Sequence, residues 1–166
     1  MMTVGDTPKV RDVIRLAAVD MGSNSFHLLV VEAHPDGSFD TLLREKEMLR
    51  LGEVVSRTGA IPPVDVERVL DTLHRFATMA RSIGATEIVA CATSAMREAD
   101  NSSQVVDLIR EETGIEVEVI SGRREAQLIF AAIRSSLVLE PSPAVCFDLG
   151  GGSLEIMVGS NAGLLW

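Results

Sequence analysis

The stretch IRLAAVDMGSNSFHLLVVE, residues 14–32, decides the architecture, because two apolar runs (14–20 and 26–32) flank a short segment of Met, Gly, Ser and Asn. Runs of that length and composition read as strands, and the small residues between them read as the turn of a hairpin. HPDGS at 34–38 supplies a second set of turn residues, so 39–49 can return as a third strand. Beyond Gly59, Pro62 and Pro63 precede apolar residues at 66, 69, 70, 73, 76, 77 and 80, a helical period that stops at Gly84. EIVACAT (87–93) reads as a strand. Asn101 is placed to cap a helix with the apolar face Val105, Leu108 and Ile109, ended by Gly114, and 115–120 alternate as a short strand. Ser121 can cap a further helix carrying Ala126, Ile129, Phe130 and Ile133, after which AVCFD, LGGGS and LEIMVG (144–159) form a second hairpin.

The order βββαβαβα followed by a hairpin predicts an α/β protein with a mixed sheet and helices packed on it, an order that suits an RNase H-like layer. The chain has 166 residues, about one ordinary domain, with 15 Lys and Arg against 24 Asp and Glu and a net charge of −9. That balance argues against a broad basic face for duplex nucleic acid or an anionic membrane; an anion has to be held locally. Apolar stretches such as 128–133 fall far short of the roughly 20 residues that cross a bilayer. Residues 1–13 read as a loose leader without an export signal, which makes the cytoplasm the expected location. Cys91 and Cys146 each sit in an apolar run and read as free thiols, not as a disulfide or zinc framework.

The two hairpins repeat one another. Asp20-Met-Gly22-Ser23-Asn24-Ser25 and Asp148-Leu-Gly150-Gly151-Gly152-Ser153 share the pattern Asp-x-Gly-x-x-Ser at a constant offset of 128 residues. One glycine turn is ordinarily only a turn. Two facing copies can clamp a phosphate chain, since small residues let main-chain N–H groups converge on an anion, serine hydroxyls add donors, and the Asp at each strand end can face a metal. Glu155 shares a strand face with Ser153 and can meet Asp148 across the second turn, a pair suited to magnesium, although turn bonding and solvation would also account for it. Arg97 follows the carboxyl end of strand 87–93, where it can bind phosphate or simply pair with Glu98 or Asp100. Glu125, in the first turn of the helix after Ser121, complements the helix dipole or serves as a general base; spacing does not separate it from Glu116 or Glu118. His27, at the strand position matching Glu155, is given no role, and Arg123 and Arg124 read as a solvated helix start.

AVDMGSNSFHLLV (18–30), LRLGEVVSRTG (49–59), CATSAMREADN (91–101), VISGRREAQLIF (119–130) and FDLGGGSLEIMVG (147–159), in this order, resemble the exopolyphosphatase/guanosine pentaphosphate phosphohydrolase (Ppx/GppA) family of the actin-like, sugar kinase and Hsp70 superfamily. The resemblance implies magnesium-dependent hydrolysis of terminal phosphoanhydride bonds, in inorganic polyphosphate or pppGpp, between two RNase H-like lobes. It assigns Glu125 as the base, Gly22, Ser23, Asn24 and Ser25 as the first phosphate loop, and Gly150, Gly151, Gly152 and Ser153 as the second. Arg97 then binds phosphate, and Asp148 and Glu155 hold Mg2+. Leu154 stands where the family usually has Thr. Family members continue well beyond residue 166, so the resemblance divides the chain into a first lobe over 14–121 and, over 122–166, a linking helix plus the first hairpin of an incomplete second lobe. An uncovered edge and apolar face there favour a homo-oligomer such as a dimer, and little activity from this length alone. A non-catalytic module that senses pppGpp or another phosphate ligand is the alternative; an ATP-dependent sugar kinase ranks third.

Overall fold

The computed structural model describes residues 13–139 and 142–166; apart from Val13, the expected leader lies outside them. Strands β1 (Ile14–Met21) and β2 (Ser25–Ala33) pair antiparallel, with Met21 opposite Phe26 at the turn, and β3 (Phe39–Met48) continues the sheet along β2. Alternate side chains leave the two faces of a strand, which is why Ala17, Val19 and Met21 of β1 are buried together with Phe26, Leu28 and Val30 of β2.

The other edge of β1 pairs parallel with β4 (Glu87–Ala92), which pairs parallel with β5 (Val117–Val119), giving one mixed sheet in the order β3-β2-β1-β4-β5. Parallel neighbours need long crossovers. Helices α1 (Leu51–Thr58) and α2 (Pro63–Ser82) lead into β4, and α3 (Ser94–Glu98) and α4 (Ser102–Thr113) lead into β5. Pro63 opens α2 at a position whose N–H has no helical partner, and the expected stripe buries Val69, Leu73, Phe76, Ala77 and Ala80. The α/β class and mixed sheet expected from the sequence are present.

Three details differ from the sequence reading. Helices α1 and α3 and the two-residue strand β8 (Gly163–Leu164) are additional elements. Asn101 stands at the start of α4, but its side chain does not cap it. Its Oδ1 instead accepts from the Ile61 N–H and its Nδ2 donates to the Ile61 carbonyl, both at 2.9 Å, satisfying a backbone segment that no ladder serves.

Helix α5 (Gly122–Ser136) begins as read, with the Arg124 N–H donating to Ser121 Oγ at 3.2 Å. It lies against a second sheet, β6 (Ala144–Leu149), β7 (Leu154–Ser160) and β8, in that order. Phe130 is its one fully buried side chain, and a Cβ on Gly159 would lie 2.2 Å from that ring, so the bare glycine is what lets β7 reach the helix. Among the described residues no helix is long and apolar enough to cross a membrane.

Candidate functional site

Each hairpin closes its turn with the same bond: the Gly22 N–H donates to the Ser25 carbonyl at 3.2 Å, and the Gly150 N–H to the Ser153 carbonyl at 3.0 Å. The carboxylates that precede the turns also match, Asp20 standing opposite His27 and Asp148 opposite Glu155. The repeat in sequence is thus a repeat in backbone geometry.

The start of α1 ties the first turn from outside. The N–H groups of Leu49 and Arg50 donate to the Asn24 carbonyl (3.0 and 2.8 Å) and that of Gly52 to the Ser23 carbonyl (2.8 Å). These bonds serve the orphan donors of a helix start that has no side-chain cap. Among the described residues, the main-chain N–H groups of Ser23, Asn24, Gly151 and Gly152 donate to no other main-chain group. The turns touch, since a Cβ on Gly151 would lie 2.3 Å from the Asn24 side chain and one on Gly152 2.9 Å from Ser94 Oγ.

Between them lies a cleft of about 160 Å³ lined by Gly22, Ser23, Asn24, Ser25, Glu125, Asp148, Gly150, Gly151 and Ser153, all expected from the sequence, and by Asp20, His27 and Thr93. Gly152 presses against Ser23 and Ser94, and Glu155, opposite Asp148, is buried. Arg97 stands behind Glu125. Its Nη1 donates to the Ile120 carbonyl at 2.7 Å and to Glu125 Oε2 at 3.3 Å. The cleft opens into a chamber of about 300 Å³ whose wall includes Ile120, Leu128, Ile129 and Ala132, together with Cys91.

That apolar wall has an electrostatic consequence. Burial pushes the Glu125 carboxyl above its usual value, the Glu155 charge pushes the same way, and the hydrogen bond and charge of Arg97 oppose both. Asp20 is raised by desolvation, with His27 opposing and the Asp148 charge adding. Burial likewise raises the Cys91 thiol, aided by Glu118 and Asp20, which leaves it protonated and not a nucleophile. His27 Nε2 lies 2.9 Å from Ser25 Oγ.

Whether the acids suit a divalent ion can be tested on Glu155: its Oε2 is buried without a hydrogen-bond partner, opposite Asp148. Such an oxygen fits a hard cation, and magnesium needs only one or two carboxylates when water and phosphate complete its shell. Among the described residues no group of three or more His, Cys, Asp or Glu forms a ready protein cage. Asp20, read from the sequence as the strand-end counterpart of Asp148, lines the cleft as well, together with Thr93 and with His27, to which the sequence reading assigns no role.

Comparison with known proteins agrees with this arrangement. Over 146 residues, 88% of this chain and 42% of the relative, the sequence is 39% identical to exopolyphosphatase 1 of Mycobacterium tuberculosis. The crystal structure of an exopolyphosphatase from Cytophaga hutchinsonii superposes with a TM-score of 0.86 at 36% identity, covering 92% of this chain and 48% of that one. The Aquifex aeolicus member of the Ppx/GppA family superposes at 0.80 with 27% identity, covering 92% and 49%. The chain spans less than half the length of each of these relatives. The Ppx/GppA phosphatase family model matches residues 30–164, most of the chain and both strands of the second hairpin, and the protein belongs to that family.

Proposed function

We propose that the cleft hydrolyses terminal phosphoanhydride bonds of inorganic polyphosphate, pppGpp or both, in a cytoplasmic protein. The observation that carries this reading is the position of Glu125, a carboxylate with a raised pKa that lines a cleft between two matched glycine turns. Phosphoryl transfer asks little of a protein except position and charge, and the parts correspond to those needs. The free N–H groups of both turns receive non-bridging phosphate oxygens. Glu125 accepts the proton of the attacking water, while Arg97, bonded to it from behind, steadies that carboxylate. Asp148 and Glu155 would hold magnesium, which when bound neutralises phosphate charge.

The test is phosphate release from long-chain polyphosphate and from pppGpp, with and without magnesium, using this 166-residue chain and the longest natural polypeptide that contains it. Turnover in the longer polypeptide and its loss in Glu125→Gln, by at least about a hundredfold, are expected. Undiminished turnover in the variant would remove the base assignment. Magnesium-dependent binding without turnover in the longer polypeptide would instead make the protein a phosphate sensor.

A further inference from the structure

We propose that Ser94 is a positioning residue: with Ser23 it forms a buried hydroxyl seat on which Gly152 rests, and this seat fixes the separation of the two glycine turns. The Ala95 N–H donates to Ser23 Oγ at 3.1 Å, Ser23 Oγ donates to Ser94 Oγ at 3.1 Å, and Ser94 Oγ donates to Glu98 Oε1 at 3.2 Å. The direction of this chain follows from its last member. An ionised carboxylate only accepts, so the Ser94 proton goes to Glu98, the Ser94 oxygen is left to receive the Ser23 proton, and the Ser23 oxygen is left to receive the amide. The Ser23 proton therefore points into the seat and not at the cleft.

Ser23 and Ser94 are both nearly inaccessible, at 5% and 3% exposure, and the second turn lies directly on them. A Cβ on Gly152 would stand 2.9 Å from Ser94 Oγ and 3.0 Å from Ser23 Oγ. One residue thus links three parts of the cleft: the first turn through Ser23, the second through Gly152, and Arg97, which sits three residues after Ser94 on α3. A shift of the seat moves the turns relative to each other and to the arginine together.

The contact makes a test by compensation possible. Ser94→Ala removes the nearest atom of the seat and leaves a gap, Gly152→Ala overfills it, and in the double variant the methyl can relax into the space the hydroxyl left, with Ser23 still 3.0 Å away. Thermal stability and the affinity for tripolyphosphate with magnesium are measured for wild type, both single variants and the double. Each single variant is expected to lower the melting temperature and weaken tripolyphosphate binding about tenfold, whereas the double variant loses less than the sum of the two in both measurements, the Ser23 contact remaining. Additive or worse losses in the double variant would overturn the seat. The affinity arm rests on the phosphohydrolase reading, but the stability arm does not. Absence of tripolyphosphate binding by wild type would count against that reading, while recovery of the melting temperature still decides the contact.

Discussion

Asp20 lines the cleft without an evident catalytic duty, and burial there raises its carboxyl pKa. Its carboxyl and that of Glu125 both titrate above their unfolded values, so the folded chain binds their protons more tightly than the unfolded chain does. Their contribution to stability is full below the unfolded pKa and is lost as the pH rises through the folded one. Asp20→Asn is accordingly expected to raise the melting temperature at pH 7, through a gain in stability of less than about 1 kcal/mol because the side chain opens to water, and to lose that advantage in acid. A scan of melting temperature between pH 4 and 8 reads this directly; a destabilised variant at neutral pH would contradict it. Arg97 holds Glu125 down, so Arg97→Gln should move the acidic limb of the activity profile of the longer polypeptide to higher pH, as well as lowering its height. At this scale the sequence was informative where it repeated. The offset that pairs Asp20 with Asp148 also pairs His27 with Glu155, and it placed the turns face to face. The Arg97 to Glu125 bond was not legible, because it joins residues 28 apart that meet only once β4 and the start of α5 have been placed side by side.

Among elements, the second glycine turn leaves little room for side chains at Gly151 and Gly152. Gly151→Ala would drive a methyl to within 2.3 Å of Asn24, and the expected result is a loss of about 1–3 kcal/mol of stability together with loss of phosphate binding. Gly122→Ala meets nothing within 4 Å at the beginning of α5 and should be neutral or stabilise by up to about 1 kcal/mol. Denaturant titration of both variants separates close approach from a general dislike of substitution. The long elements were readable because periodicity carries them: the apolar stripe on α2 and the alternation in β1 and β2 match their buried faces. The short ones were not. Helix α1 has eight residues, a glycine and two valines within them and no capping side chain, and it starts from Arg50 at φ +56°, a left-handed conformation that favours glycine. Its stability comes from the first turn, whose carbonyls receive its free N–H groups, and no local pattern announces that. Helix α3, five residues long, is likewise held by Ser23.

At the scale of the whole molecule, the second sheet is covered on one side by α5 and, among the described residues, bare on the other. Val145, Phe147, Leu149, Leu154 and Ile156 are all exposed there, with Phe147 opposite Ile156 and Leu149 opposite Leu154 in the register. A contiguous apolar face beside the free edge of β6 favours association. Sedimentation of this chain at rising concentration is expected to show growing mass, and Phe147→Glu to reduce it; a wild type that stays monomeric throughout would show that the face is tolerated in water. The strand order β3-β2-β1-β4-β5 has a different consequence, for the moment of synthesis. The central strand β1 ends at Met21, yet its second neighbour β4 begins only at Glu87. At about 5–20 residues per second the β1–β2 hairpin waits several seconds with one long edge unpaired and Met21, Phe26 and Leu28 in water. The nascent chain therefore presents an adhesive edge until β4 is made, and a chaperone acting over that interval would raise the yield.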